Sequence, residues 1–232
     1  MKLLLTSAGI SNASIERSLV EMLGKPISES RALYVPTGMY PFRSGGEGVL
    51  RSLSDESPNP LCRLGWQSLG LFELSTLTTI KRDHWVQDLL EADALLVYGG
   101  NVLYLKYWMQ KSGLADLFEQ MQDKVYVGVS AGSIVMTGHN CDIESNLEVL
   151  PDIEEMTKDG EKGLGLVDCA LWVHLNNPNP IFEDHTSANI ERWSQNIPSV
   201  TYAIDDQTAI RVVDGKLDVI SEGHWETYGP GR

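Results

Sequence analysis

The chain has 232 residues, 42% hydrophobic and 22% charged, and its 32 acidic against 18 basic side chains give a formal net charge of −14. A surface of that sign repels phosphate backbones and argues against nucleic acid as a partner. No run approaches the roughly 20 apolar residues that a membrane span needs.

The opening MKLLLTSAG has an apolar run too short for an export signal and reads as a first buried strand ending in a turn. The three cysteines, Cys62, Cys141 and Cys169, have no metal-like spacing and read as buried free thiols. Both observations point to a cytoplasmic protein. NASIERSLVEML carries Ile15, Leu19, Met22 and Leu23 at helical spacing and closes at Gly24. ALYVPTG is a second strand, GEGVLRSLSDE a helix and GWQSLGLFEL a third strand. RDHWVQDLLEA is a helix, ADALLVYGG a fourth strand, and residues 102–122 a helical region broken near Gly113. KVYVGVS is a fifth strand and AGSIVMTG a short helix. Strands alternating with helices predict an α/β fold, a mostly parallel sheet with helices on both faces. Residues 139–163 are acidic and weakly periodic, and read as a surface loop. LVDCALWVHL is a strand and HTSANIERWSQN a helix. SVTYAIDD, TAIRVVDG and KLDVISEG form a run of strands, the last two a hairpin turning at Asp214-Gly215. With no repeat and no dividing linker, residues 1–232 are expected to form a single domain.

The chemistry centres on VGVSAGSIVM. Gly128-Val129-Ser130-Ala131-Gly132 fits G-x-S-x-G at a strand-to-helix junction, where small neighbours let a serine sit in strained backbone geometry above the sheet. The pentapeptide alone suits tight packing equally well. LLVYGGN ends the preceding strand, and parallel strands deliver their ends to one edge, so Gly99 and Gly100 are expected to face Ser130. The Gly100 amide, with that of Ala131, would form an oxyanion hole. A serine nucleophile also needs a base. His84 lies in a helix, His139 and His185 in polar loops, and His224 near the C-terminal end; His174 ends the strand CALWVHL and is the best placed. An acid must orient it. Asp205 and Asp206 end another strand, and Asp142 and Glu144, after the elbow helix, compete.

Together VYGGN, VGVSAGSIVM, GLGLVDCALWVHLNNP and YAIDDQTAIRVVDGKLDVISEG resemble peptidase E, the aspartyl dipeptidase group that includes the cyanophycinases. The resemblance implies a flavodoxin-like sheet, similar to the class I glutamine amidotransferases, with a C-terminal β-hairpin. It implies Ser130 as nucleophile and His174 as base. The acid maps to Asp206 in some relatives and near Asp142 or Glu144 in others. Rigidity favours Asp206, because it follows an apolar strand. The amidotransferases use cysteine where this chain has Ser130, which argues against glutaminase chemistry.

The expected activity is a serine peptidase acting on short peptides, dipeptides with an N-terminal aspartate above all, through an acyl-enzyme and with no metal or other cofactor. Asn101 and Arg192 are candidate substrate-binding residues. A carboxylate pocket needs a cation, and the segment after His174 is acidic, so His185, Arg192 and Arg43 are the candidates. A small peptide is the expected partner, with no nucleic acid and no membrane; a homodimer is compatible with the sequence. The alternatives are a serine esterase or acyl-transfer enzyme on the same fold, and a non-catalytic small-molecule binding protein. The absence of G-x-G-x-x-G at the first turn and of a P-loop speaks against a nucleotide-binding version of the latter.

Overall fold

The computed structural model describes residues 1–139, 150, 153–158 and 162–229. Strand β1 (Lys2–Thr6) leads into helix α1 (Ala13–Leu23). The Asn12 side chain accepts from the Ile15 amide to start α1, and Gly24, at φ 71°, ends it. There follow β2 (Arg31–Val35), α2 (Gly45–Leu53), β3 (Ser68–Leu71), α3 (Leu74–Leu77), α4 (Arg82–Glu91), β4 (Ala94–Val97) and α5 (Val102–Lys111). The second half contains β5 (Val125–Val129), α6 (Ala131–Ile134), β6 (Thr137–His139), α7 (Ile153–Thr157), β7 (Val167–Trp172) and α8 (Ser187–Ser194). It closes with β8 (Thr201–Ile204), β9 (Thr208–Val213), β10 (Lys216–Ser221) and β11 (Trp225–Tyr228). No helix among the described residues is long and apolar enough to cross a membrane.

A seven-stranded sheet runs in the order β10-β9-β1-β5-β4-β2-β3. Its strands from β1 to β3 are mutually parallel, while on the β1 side β9 pairs antiparallel with β1 and β10 antiparallel with β9. The β9–β10 turn uses Asp214 and Gly215 at φ 52° and 75°, the paired left-handed conformation of a two-residue hairpin. Alternate residues of each strand point to opposite faces, and both faces are buried. Leu3, Leu5, Leu95, Val97 and Tyr126 join Trp85 and Leu89 of α4 and Leu105 and Met109 of α5. Leu4, Ala94, Leu96, Val125 and Val127 join Ile15, Leu19 and Met22 of α1.

A second sheet, β11-β8-β7-β6, packs beside the first. Cys169, Leu171, Val173 and Ile204 enter the α4–α5 core, while Ala170, Trp172 and Ala203 on the other face are covered by Ile190 of α8. The run of C-terminal strands is present as expected, with β8 in the small sheet and β9 in the large one, so the chain crosses between sheets at residues 205–207. Three differences from the sequence-based expectations remain. Thr137–His139, expected to end a helix and begin a loop, pairs with β7 as a strand, so His139 is not in a loop. The segment expected as surface loop contains α7, too short for a periodic signal, and its Met156 packs with Leu103 and Tyr107. Strands β11 and helix α3 were not expected; each is only four residues long.

Candidate active site

Ser130 stands between β5 and α6 at φ 52° and ψ −116°, a conformation that costs a residue with a Cβ of the order of 1–3 kcal/mol. The surroundings hold it there. Its amide donates to the carbonyls of Thr6 and Ser7, both at 3.1 Å, and its own carbonyl accepts from the Ser133 amide at 2.8 Å. Ser133 Oγ donates to the Thr6 carbonyl at 2.7 Å, and the buried Tyr126 hydroxyl to the Gly132 carbonyl at 2.6 Å. The flanking glycines are needed for contact rather than for φ. A Cβ on Gly128 would lie 2.6 Å from the Gly132 carbonyl oxygen, and one on Gly132 would strike the Val97 carbonyl. Gly128→Ala therefore forces backbone against backbone, and the expected loss is about 1–3 kcal/mol or more of folding stability, read by urea unfolding. An unchanged midpoint would show that the elbow can widen at no cost.

The register β4–β5 pairs Val97 with Gly128, which carries Gly99 alongside Ser130. A Cβ on Gly99 would sit 3.2 Å from Ser130 Cβ and 3.7 Å from Oγ, so the absence of a side chain keeps the serine uncovered. Gly100 has φ 127°, and its Cα packs against the Gly38 carbonyl, leaving no room for a side chain. Neither the Gly100 nor the Ala131 amide donates to a backbone acceptor among the described residues. Asn101 is committed to the helix that follows: buried, it caps α5 by accepting from the Tyr104 amide at 2.9 Å.

His174 lies two residues beyond β7, in a turn at φ 59° rather than in the strand itself. Its Nε2 is 3.1 Å from Ser130 Oγ, and its Nδ1 is 2.6 Å from Asp206 Oδ1. The Phe182 ring stacks on the imidazole, 4.0 Å between centroids and 19° from parallel, covering one face. Asp206 sits at the crossover between the two sheets. Ser7 Oγ donates to its Oδ1 at 2.7 Å, and Asn177 Nδ2 donates to Oδ2. Burial by itself would raise the Asp206 carboxyl; the hydrogen bonds from His174, Ser7 and Asn177, with the imidazole charge, outweigh it and hold the group below the usual carboxylate range.

The neighbouring Asp205 points elsewhere. It accepts from the amides of Gln207 at 3.0 Å and His224 at 2.6 Å, and from Thr208 Oγ1 at 2.7 Å, and so fastens the crossover. Asp142 and Glu144 lie outside the described residues, as does Cys141. His84 is exposed on α4, and His224 is exposed and bonded to Glu226. His185 Nδ1 donates to the Val173 carbonyl at 2.8 Å, its ring 6.4 Å from that of His174. Arg192 is exposed on α8, where it donates to Asn189 and lies over Trp193, in contact with none of Ser130, His174 or Asp206. Cys62 and Cys169 are buried, and desolvation pushes both thiols up to about 12, which keeps them inert.

Sequence reasoning missed Ser7, Asn177 and Phe182. A signal for Ser7 existed. It is the residue after β1, whose Thr6 pairs with Val129, so the same edge rule that placed Gly99 beside Ser130 also places Ser7 there. Nothing local marks Asn177 or Phe182, which reach the site through the fold of the 174–185 turn.

A serine on a strained elbow with an imidazole against it defines the class of serine hydrolases on an α/β sheet. Residues 3–220 match the family model of peptidase family S51, and the chain belongs to that family, which makes it a serine peptidase by descent. No curated protein sequence matches the chain. Among solved structures it is similar to a protein from Listeria monocytogenes EGD-e provisionally described as peptidase E. The two share 19% identity and a TM-score of 0.63, over 96% of this chain and 98% of that one. It is also similar to a peptidase from an acI-B1 Actinobacterium, at 15% identity and a TM-score of 0.65, over 100% of this chain and 95% of that one. At these identities the likeness establishes a shared peptidase E-like fold.

Proposed function

We propose that the protein is a serine dipeptidase that cleaves short peptides, favouring an N-terminal aspartate, with Ser130 as nucleophile, His174 as base and Asp206 as the orienting acid. The observation that supports this most is the continuous line from Ser130 Oγ to His174 Nε2, and from His174 Nδ1 to Asp206 Oδ1, at 3.1 and 2.6 Å.

In this reading the Nδ1 proton is donated to Asp206, which leaves Nε2 as the acceptor facing Ser130. His174 takes the serine proton as Oγ attacks the scissile carbonyl. The negative charge that develops on the carbonyl oxygen is met by the amides of Gly100 and Ala131, which have no backbone partner to give up among the described residues. His174 then hands the proton to the leaving amine, and water, activated by the same imidazole, releases the acyl group. Asp206 stabilises the transient imidazolium without taking its proton. Its lowered carboxyl suits it to that work.

A substrate aspartate brings a carboxylate to a chain of net charge −14, so a local cation must receive it. Of the three candidates, Arg192 is engaged on α8 and His185 Nδ1 is engaged with Val173. Arg43 is exposed, with no partner among the described residues. It follows the 3₁₀ helix Thr37–Met39, whose Gly38 carbonyl accepts from the Asn101 amide at 2.8 Å, so its loop borders the glycine pair. This location supports Arg43 over the other two.

The test is a dipeptide panel, Asp-X, Glu-X, Ala-X and N-blocked versions, with product detection, run beside fluorophosphonate labelling. Labelling at Ser130 with cleavage of Asp-X is the expected result. Hydrolysis of simple esters with no peptide cleaved would overturn the peptidase reading in favour of an esterase.

A further inference from the structure

We propose that Ser7 is a positioning residue of this reaction, tying Ser130, His174 and Asp206 into one rigid unit; the role rests on the triad reading above. The three residues come from separate parts of the fold, and Ser7 touches all of them. Its carbonyl accepts from the Ser130 amide at 3.1 Å. Its hydroxyl accepts from the His174 amide at 2.9 Å and donates to Asp206 Oδ1 at 2.7 Å.

The direction of these bonds follows from the donor inventory. A hydroxyl has one proton. The His174 amide can only donate to it, so the proton is free to go to the carboxylate. The approach to His174 Nδ1, at 3.3 Å, is the longer contact and is not needed, since Nδ1 already faces Asp206 at 2.6 Å. The Ser7 side chain is fully buried, so water cannot substitute for it freely. Its backbone is the continuation of β1 at the centre of the large sheet, with its amide reaching the Thr208 carbonyl at 3.4 Å. The sheet thereby fixes two features of the site. One is the left-handed turn at His174, whose amide would otherwise be buried and unpaired. The other is the carboxylate, whose Oδ1 edge Ser7 holds while Asn177 holds Oδ2.

The consequence is specific to catalysis. Asp206 Oδ1 receives two donors, Ser7 and His174, and Oδ2 receives Asn177, so Ser7 with Asn177 sets the carboxylate plane in which His174 is aligned. Losing Ser7 leaves the nucleophile and base present but loosely registered, and loose registration of a catalytic pair lowers turnover rather than substrate binding.

The experiment measures kcat, KM, melting temperature and the rate of fluorophosphonate labelling for Ser7→Ala, Ser7→Thr and Ser7→Val, with Ser130→Ala as the reference. Removal of one hydrogen bond to a charged group corresponds to a loss of about 10- to 100-fold, expected in kcat and in labelling rate, with KM little changed. Thr and Val have the same shape and differ by the hydroxyl, so Ser7→Thr should exceed Ser7→Val by about tenfold even where the extra methyl strains both. Ser7 acts through Asp206, so adding Ser7→Ala to Asp206→Asn should cost much less than Ser7→Ala alone. Equal rates for the Thr and Val variants, or losses that multiply in the double variant, would overturn the role and reduce Ser7 to a packing residue. Full activity of Ser7→Ala beside an inactive Ser130→Ala would also overturn it, while leaving the triad reading intact. Activity in Ser130→Ala itself would overturn the triad, and this role with it.

Discussion

Ser130→Ala is expected to lose on the order of 10⁶-fold in turnover with a melting temperature close to that of the parent chain, and His174→Ala to lose nearly as much. The size of the effect follows from shared work. Nε2 lies 3.1 Å from Ser130 Oγ, so under the proposed triad neither the serine without its base nor the base without its serine would start acyl transfer. The double variant should then be no slower than either single one, because the second substitution removes something already idle. Turnover of the best dipeptide in the panel, with mass detection of the fluorophosphonate adduct, measures all three. A Ser130→Ala protein that folds and keeps more than about a tenth of its activity would remove Ser130 from the nucleophile's place. Losses that multiply would show that Ser130 and His174 act separately, with another histidine as base.

Asp206→Asn is expected to cost about 10⁴-fold in turnover and no less than a hundredfold, by the loss of imidazole orientation. An amide in place of the carboxylate can offer Nδ1 an N–H where it needs an acceptor, and the ring then favours the tautomer with its proton facing Ser130. Asp142→Asn and Glu144→Gln, in the segment after the elbow, should lose far less. The reverse ranking would move the acid to that segment. Stability gives a second reading of the same residue. The Asp206 carboxyl is lowered in the folded chain, because hydrogen bonds from His174, Ser7 and Asn177 together with the imidazole charge outweigh the burial that would raise it. A lowered carboxyl contributes stability that is fully present above its unfolded value and is lost as pH falls through the folded one. The gap in melting temperature between the parent chain and Asp206→Asn should therefore narrow on acidification below the ordinary carboxylate range. A gap that widens there would mean that the carboxyl is not held low.

Much of this molecule can be read from the sequence because its signals are local. Alternating runs such as KLLLT and KVYVGV specify strands buried on both faces, and Asn12 and Gly24 bound α1 by capping and by a positive φ. Asp214-Gly215 specifies its hairpin by the same backbone chemistry. Gly128 and Gly132 bracket Ser130 because a tight elbow excludes any Cβ there, and that exclusion is visible in the residue types. The edge rule for parallel strands carries Gly99 to the serine without further information.

What the sequence alone could not decide is which distant segments meet. Strand propensity is the same in β8 and β9, yet one joins the small sheet and the other the large one, and the crossover between them is what brings Asp206 to His174. Asp205 and Asp206 are chemically identical neighbours. Only the turn geometry sends the first to the amides of Gln207 and His224 and the second to the imidazole. The positive φ at His174 is uncommon for any residue with a Cβ and is not marked in the local sequence; the long-range bond from its amide to Ser7 helps hold it. Local stereochemistry thus determined the longer elements and the serine's elbow, while the short elements and the rest of the site depend on contacts between segments far apart in sequence, whose partners are chosen by packing the whole chain.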